Sequence, residues 1–207
     1  MAVNYSDQEQ VDKIKDWLKA NGPGILVGVV LGLVAISGWQ WWQTRSQAHA
    51  ETASAHYAIM LEAVEQGNTG QVRDQAMILI GEFDKTHYAV LAALLVARLE
   101  VEAGDYAAAI IQLQWALAHT KDAALQAIIR LRLARVLLAD EQFSQALSEL
   151  DQVSGQPFTA ERAELQGDIF RAQNRPDDAR RAYETALMGA GGEQRLRWKL
   201  DSLPSAQ

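Results

Sequence analysis

Cysteine is absent from this 207-residue chain. Its absence removes disulfides, thiolate metal sites, iron–sulfur clusters and cysteine nucleophiles together. It suits an oxidising compartment as well as a reducing one. Proline is scarce, with four residues in all, while Ala, Leu, Gln, Glu and Arg abound, which points to helices. Net positive charge is also lacking. The formal charge of −7 excludes a chain-wide basic footprint for nucleic acid. No run shows a strand period of two. The usual catalytic signatures are missing as well. None of His49, His56, His87 and His119 lies three or four residues from another, so no helical ligand pair exists, and all four read as surface or packing residues. Gly189–Gly192 lacks the Lys-Ser/Thr of a phosphate loop and reads as a flexible turn. No nucleophile elbow or paired-carboxylate motif stands out. The expectation is a protein without catalytic residues, cofactor or metal.

What is present begins with a run free of charge. No Asp, Glu, Lys or Arg occurs from residue 20 to residue 44. A helix needs about 20 apolar residues to cross the hydrocarbon core, and Gly22–Trp42 is long enough. A signal-peptide core is shorter, about 7–15 residues. Ala48-His49-Ala50 has the small-X-small form of a cleavage site, but it lies well beyond the apolar run. A retained anchor is therefore expected over a cleaved signal. Trp39, Trp41 and Trp42 cluster where an aromatic belt would meet the headgroups. Three lysines, Lys13, Lys15 and Lys19, precede the run, and only Arg45 follows it before Arg73. Positive flanks stay inside, which places the N-terminus in the cytoplasm and the large C-terminal part outside, the periplasm of a bacterium. Gly24, Gly28 and Gly32 recur every four residues, giving a small-residue face for another helix, of a second copy or of a different protein.

Before the run, residues 1–21 read as a short amphipathic helix. Ser6 and Glu9 form a capping-box pattern, and Val11, Ile14, Trp17 and Leu18 share one face. Gly22 suits the end of that helix, and Pro23 the first turn of the next.

After the run, helical periodicity dominates and three segments share a frame. "ARLEVEAGDYAAAIIQLQWAL", "ARVLLADEQFSQALSELDQV" and "GDIFRAQNRPDDARRAYETAL" each begin with a small residue, at Ala97, Ala134 and Gly167. Twelve positions later stand Ala109, Ala146 and Ala179; then Leu113, Leu150 and Tyr183; then Ala116, Val153 and Ala186. Their spacing approaches the roughly 34-residue period of tetratricopeptide repeats. Small side chains let paired helices approach closely, and the bulky ones fill the layer to the next pair. Residues 46–96 fall off this frame, with helices expected near 46–66, 71–82 and from 86 onward. They could hold a degenerate repeat turning at Gly67. "EQRLRWKLDSL" reads as a capping helix, closing the stack with Leu196, Leu200, Leu203 and, in part, Trp198.

The expected fold is all-α: an amphipathic helix over 1–21, a transmembrane helix over 22–42, and a tetratricopeptide-repeat-like α-solenoid over 43–207. A candidate groove follows from an Arg-bearing face of the repeats. Arg98, Arg135 and Arg171 stand in comparable places with Leu131, Leu138 and Asp168 nearby. Such a row suits an extended peptide or an acidic segment.

The N-terminal "DQEQVDKIKDWLKANG" leading into "GILVGVVLGLVAISGWQWW", with "LRLARVLL" and the closing "RAYETAL", resembles the YfgM family, ancillary subunits of the bacterial SecYEG protein-export channel. The resemblance covers essentially the whole chain. It implies a single-pass inner-membrane protein with a periplasmic repeat domain. It further implies contact with the translocon and the membrane-tethered periplasmic chaperone PpiD, help in passing substrates from channel to chaperones and, for some members, a link to stress regulation. It offers no catalytic residues. The expected function is thus a non-enzymatic accessory factor of protein export. The competing reading is an envelope scaffold coordinating division or peptidoglycan synthesis on similar repeats.

Overall fold

A computed structural model describes residues 7–189 and 192–204; the side chains of residues 7–10, Ala20, Pro23, Ile25, Leu26, Val27 and Val29 fall outside that description. Nine α-helices occur among the described residues, with no strand. They are α1 (Asp7–Glu65), α2 (Thr69–Glu82), α3 (His87–Ala103), α4 (Tyr106–Ala118), α5 (Ala123–Ala139), α6 (Phe143–Asp151), α7 (Thr159–Ala172), α8 (Pro176–Leu187) and α9 (Glu193–Asp201). One 3-10 turn, Gln156–Phe158, precedes α7. The chain divides into two compact units that meet between Glu51 and Thr52.

In the first unit, α1 runs through Gly22 and Pro23 without a break. The two separate helices expected there are one. An internal proline removes one hydrogen bond from the ladder, which bends a helix more readily than it ends one when both flanks favour helix. Val11, Ile14, Trp17 and Leu18 do share an exposed face. Ser6, half of the expected capping box, lies outside the described residues. Among the described residues no helix is long and apolar enough to cross a membrane. The spanning helix expected over 22–42 is accordingly not found there; five of its apolar side chains, from Pro23 to Val29, fall outside the description.

The second unit is a stack of helix pairs. Every position of the three-segment frame is buried, from Ala97, Ala109, Leu113 and Ala116 through Ala134, Ala146, Leu150 and Val153 to Gly167, Ala179, Tyr183 and Ala186. Each of the three pairs, α3/α4, α5/α6 and α7/α8, turns on a residue seven positions after its small one, with positive φ: Gly104 (79°), Glu141 (58°) and Asn174 (57°). The same two hydrogen bonds close each turn. Gly104 N donates to Val101 O and Asp105 N to Glu100 O; Glu141 N donates to Leu138 O and Gln142 N to Leu137 O; Asn174 N donates to Arg171 O and Arg175 N to Phe170 O. This is the left-handed C-terminal cap that satisfies the last carbonyls of a helix.

The off-frame segment uses the same turn. Gly67 has φ 68°, its N–H donates to Val64 O, and Asn68 N donates to Ala63 O. Counting from it, the frame falls on Met60, Val72, Ala76 and Leu79, all buried. The end of α1, from Thr52, and α2 therefore form a fourth repeat at the N-terminal end of the stack. It escaped the small-residue pattern because the volumes are exchanged: Met60 stands where the others have Ala or Gly, and Ala76 where they have Leu or Tyr. Total volume at a contact is what close packing constrains.

Three buried clusters run along the stack. One joins α1, α2 and α3, a large central one runs from α3 to α7, and a third joins α7, α8 and α9. Leu196 and Leu203 are buried in the last and Leu200 packs against it. Trp198, expected to contribute only in part, is 66% exposed.

Candidate functional site: the first-helix face

The first helix of each repeat carries one stripe that its own second helix leaves uncovered in part. Relative to the small position it contains residues −6, −3, +1 and +4, which fall within one arc of an α-helix. In the first repeat these are Ser54, Tyr57, Leu61 and Val64; in the second Leu91, Leu94, Arg98 and Val101; in the third Ile128, Leu131, Arg135 and Leu138. In the fourth they are Glu161, Glu164, Asp168 and Arg171. The stripe is thus apolar over three repeats, apart from Ser54 and two arginines, and wholly charged in the last.

The residues expected to form a groove fall on this stripe, but differently from the expectation. Arg98 and Arg135 share one column. Asp168, not Arg171, continues it, because the last interval is 33 residues and Arg171 lies three positions further, with Val101 and Leu138. Leu131 is buried and Leu138 packs on the central cluster. Neither arginine is a bare cation: Arg98 Nε donates to Glu102 Oε1 at 2.7 Å, and Arg135 is ion-paired with Glu161 on α7. Arg171 is exposed.

At the end of the stack the acidic stripe of α7 is met by cations from α9. Arg195 donates to both oxygens of Glu164, at 2.9 and 2.6 Å. Lys199 Nζ lies 2.8 Å from Glu164 Oε1 and 2.7 Å from each oxygen of Asp168. Tyr183, fully buried in α8, donates its hydroxyl to Asp168 at 2.8 Å. Glu161, Glu164, Asp168, Arg195 and Lys199 line a cleft of about 580 Å³ with Arg135, Pro157, Ala160, Leu165 and Leu196. Sequence reasoning missed Glu161, Glu164, Arg195 and Lys199. Their signal was the acid spacing i, i+3, i+7 in α7 against a basic i, i+4 pair in α9.

Burial alone would raise the Glu164 carboxyl, but hydrogen bonds from Arg195 and Lys199, with their charges, hold it below the usual range. Burial and the bond to Asp168 push the Tyr183 hydroxyl upward. A depressed carboxylate contributes stability that is present above its unfolded value, about 4.3, and is lost as pH falls through the folded one. The melting temperature of the chain should therefore drop as pH falls below the unfolded value of about 4.3, and Glu164→Gln should shrink that drop while lowering stability at pH 7. An unchanged pH dependence in Glu164→Gln would exclude this carboxylate as its source.

Two histidines serve packing: His56 bonds Gln75 at 2.8 Å beside the Phe83 ring, and His119 stacks on Trp115 with centroids 3.8 Å apart. In the first unit Gly24, Gly28 and Gly32 are exposed with nothing within 4 Å of an added Cβ. Trp39, Trp41 and Trp42 are exposed, Trp39 and Trp42 lie 5.7 Å apart, and Arg45 stands over Trp41 at 5.6 Å.

Known proteins agree with this architecture. A family model described as a tetratricopeptide repeat-like domain matches residues 15–205. A crystal structure of a tetratricopeptide repeat protein from Parabacteroides merdae is similar in fold, with a TM-score of 0.50 and 18% identity over 72% of this chain and 56% of that one. The chain is 34% identical over 205 residues to a Haemophilus influenzae protein named ancillary SecYEG translocon subunit, covering 98% of this chain and all of that one. Proteins of the same name from Escherichia coli and Neisseria gonorrhoeae are 33% identical over 90% of each chain, and 28% identical over 98% of this chain and all of the other. Matched along nearly its whole length, this chain belongs to the tetratricopeptide repeat-like family that includes these ancillary translocon subunits.

Proposed function

We propose that this chain is a non-enzymatic accessory factor of the protein-export channel, anchored in the bacterial inner membrane beside SecYEG. The observation that carries this reading is the similarity over 98% of this chain, which takes in the N-terminal segment, to a relative named ancillary SecYEG translocon subunit. The charge-free run from residue 20 to 44 supports a retained anchor over 22–42, with residues 1–21 cytoplasmic and 43–207 periplasmic. Exposed Trp39, Trp41 and Trp42 suit one headgroup layer. The open glycine face at Gly24, Gly28 and Gly32 suits a neighbouring channel helix. The repeat domain then holds a periplasmic partner, the tethered chaperone PpiD in this reading. Confinement to the membrane raises the effective concentration of that partner, so a modest surface suffices.

The test is photocrosslinking in intact membranes from a reactive residue at Gly28 and, separately, at Arg135. Channel subunits on Gly28 and a periplasmic chaperone on Arg135 are expected. A mature protein lacking residue 28 would make the segment a cleaved signal and sink the reading.

A further inference from the structure

Resting on that reading, we infer that one side of α1, from Val11 to Trp42, seats a single partner helix that crosses the bilayer and continues beside α1 into the cytoplasm. The continuity of α1 carries the inference. A series of positions spaced alternately by three and four residues starts at Val11 and Ile14, passes Leu18, Gly28 and Gly32, and ends at Trp39 and Trp42. An average of 3.5 residues is the spacing of a seam between two helices. On an unbroken helix it drifts only about 20° per heptad, which a slight left-handed supercoil absorbs. The exposed apolar face before the charge-free run and the open glycines inside it therefore share one side of α1. Two separate helices would have left that relation open. Val11, Ile14 and Leu18 are 49%, 64% and 56% exposed. Asp12, Lys13, Asp16 and Lys19 fall on the opposite arc, and Lys15, at the border of the stripe, pairs back with Asp12 at 3.6 Å. The stripe thus offers apolar contact without charge, and covering it gains from every apolar area removed from water. Lipid does not supply that cover. With the anchor over 22–42, an unbroken helix carries residues 11–18 out of the hydrocarbon along its own axis, about 6 to 17 Å past its edge. A second copy fits poorly too. In a parallel pair each position meets itself, so Gly28 and Gly32 call for close axes, and Trp39 and Trp42, about 15 Å further along, for distant ones. A different helix, bulky opposite the glycines and small opposite the tryptophans, keeps the volume of each layer constant and the axes at one separation.

The experiment is photocrosslinking of the full chain in intact membranes from a reactive residue at Ile14, Asp16 or Gly28 in turn, with the adduct sites mapped by mass spectrometry. Ile14 and Gly28 lie 14 residues apart. Their adducts are expected on one helix of one partner, about 14 residues apart there as well, and Asp16 should crosslink at least tenfold less. One alanine inserted after Lys19 turns the cytoplasmic face by about 100° against the glycines. It should cut the Ile14 adduct at least fivefold and leave the Gly28 adduct unchanged, which a loss of folding would not do. Four inserted alanines, a little over one turn, should restore the Ile14 adduct. Adducts of Ile14 and Gly28 on different proteins, adducts of Ile14 to lipid or to a second copy, or indifference to the single insertion would overturn the inference. The identity of the partner judges the export reading separately. A shared helix that belongs to no channel subunit keeps the seam and sinks the export reading, whereas channel adducts from Gly28 alone keep the reading and sink the seam.

Discussion

Alanine at Gly167 is expected to destabilise the repeat domain by about 2 kcal/mol, although alanine is the better helix former. An added Cβ would stand 2.4 and 2.5 Å from two ring carbons of Tyr183. The ring cannot retreat: Tyr183 is fully buried, its hydroxyl is bonded to Asp168, and Lys199 lies 5.6 Å from the ring centre. Overpacking of this kind costs about 1–3 kcal/mol, sometimes more, against a propensity gain of about 1 kcal/mol. The sterics win because the contact is below any separation real Cβ atoms adopt. The second and third repeats solve the same contact with Ala97 and Leu113, and with Ala134 and Leu150. Gly167→Ala combined with Tyr183→Leu copies that solution. Tyr183→Leu alone should cost about 2 kcal/mol, through a cavity and a carboxylate deprived of its hydroxyl partner. The double variant should be more stable than the sum of its parts implies, by 1 kcal/mol or more, as measured by urea denaturation in a double-mutant cycle. Strict additivity would show that the two side chains do not meet.

That pair also shows what was legible in advance. The three strong repeats were readable because their columns hold small and large residues in a constant order, and a helical stack repeats its contacts at a fixed interval. The first repeat was not, because Met60 and Ala76 exchange the sizes while conserving the sum. A rule written on small residues misses a constraint that acts on volume. The invariant feature was the turn, where Gly67, Gly104, Glu141 and Asn174 all adopt positive φ. Only two of these are glycine, so residue type alone hides it. The column of the candidate groove residues was half legible. Arg98 and Arg135 share a column and Arg171 does not, and while Arg98 pairs with Glu102 on its own helix, Arg135 with Glu161 and Lys199 with Asp168 pair across 26 and 31 residues. Charge counted along one helix says nothing about whether the next has already neutralised it. Helix α1 erred in the opposite sense, since local Gly and Pro signals at residues 22 and 23 were outweighed by helix-favouring flanks.

Replacing Arg73 by alanine should be the most damaging change at the surface of the stack. Arg73 on α2 meets Glu100 on α3 through two guanidinium nitrogens, the second at 3.2 Å. The pair is unequal. The Arg73 side chain is 44% exposed and that of Glu100 only 9%. Glu100 occupies the column three residues after the small position, filled by Ala63, Leu137 and Phe170 in the other repeats. A carboxylate there is tolerated because the guanidinium reaches in from solvent to satisfy it. Removing Arg73 leaves the charge in an apolar layer, and losing one partner of a buried pair costs about 3–5 kcal/mol. The half-exposed partner and nearby water place this case toward about 2–3 kcal/mol. The reverse change has a different sign. Glu100→Leu installs the residue of the third repeat and frees Arg73 to extend into water, so stability should stay within about 1 kcal/mol of the parent or rise. Adding Glu100→Leu to Arg73→Ala should then recover most of the loss. Urea midpoints and amide exchange in α2 and α3 would read the three variants together. Equal losses for Arg73→Ala and Glu100→Leu would mean that the contact contributes through the attraction itself, and that the burial of Glu100 is not what makes Arg73 necessary.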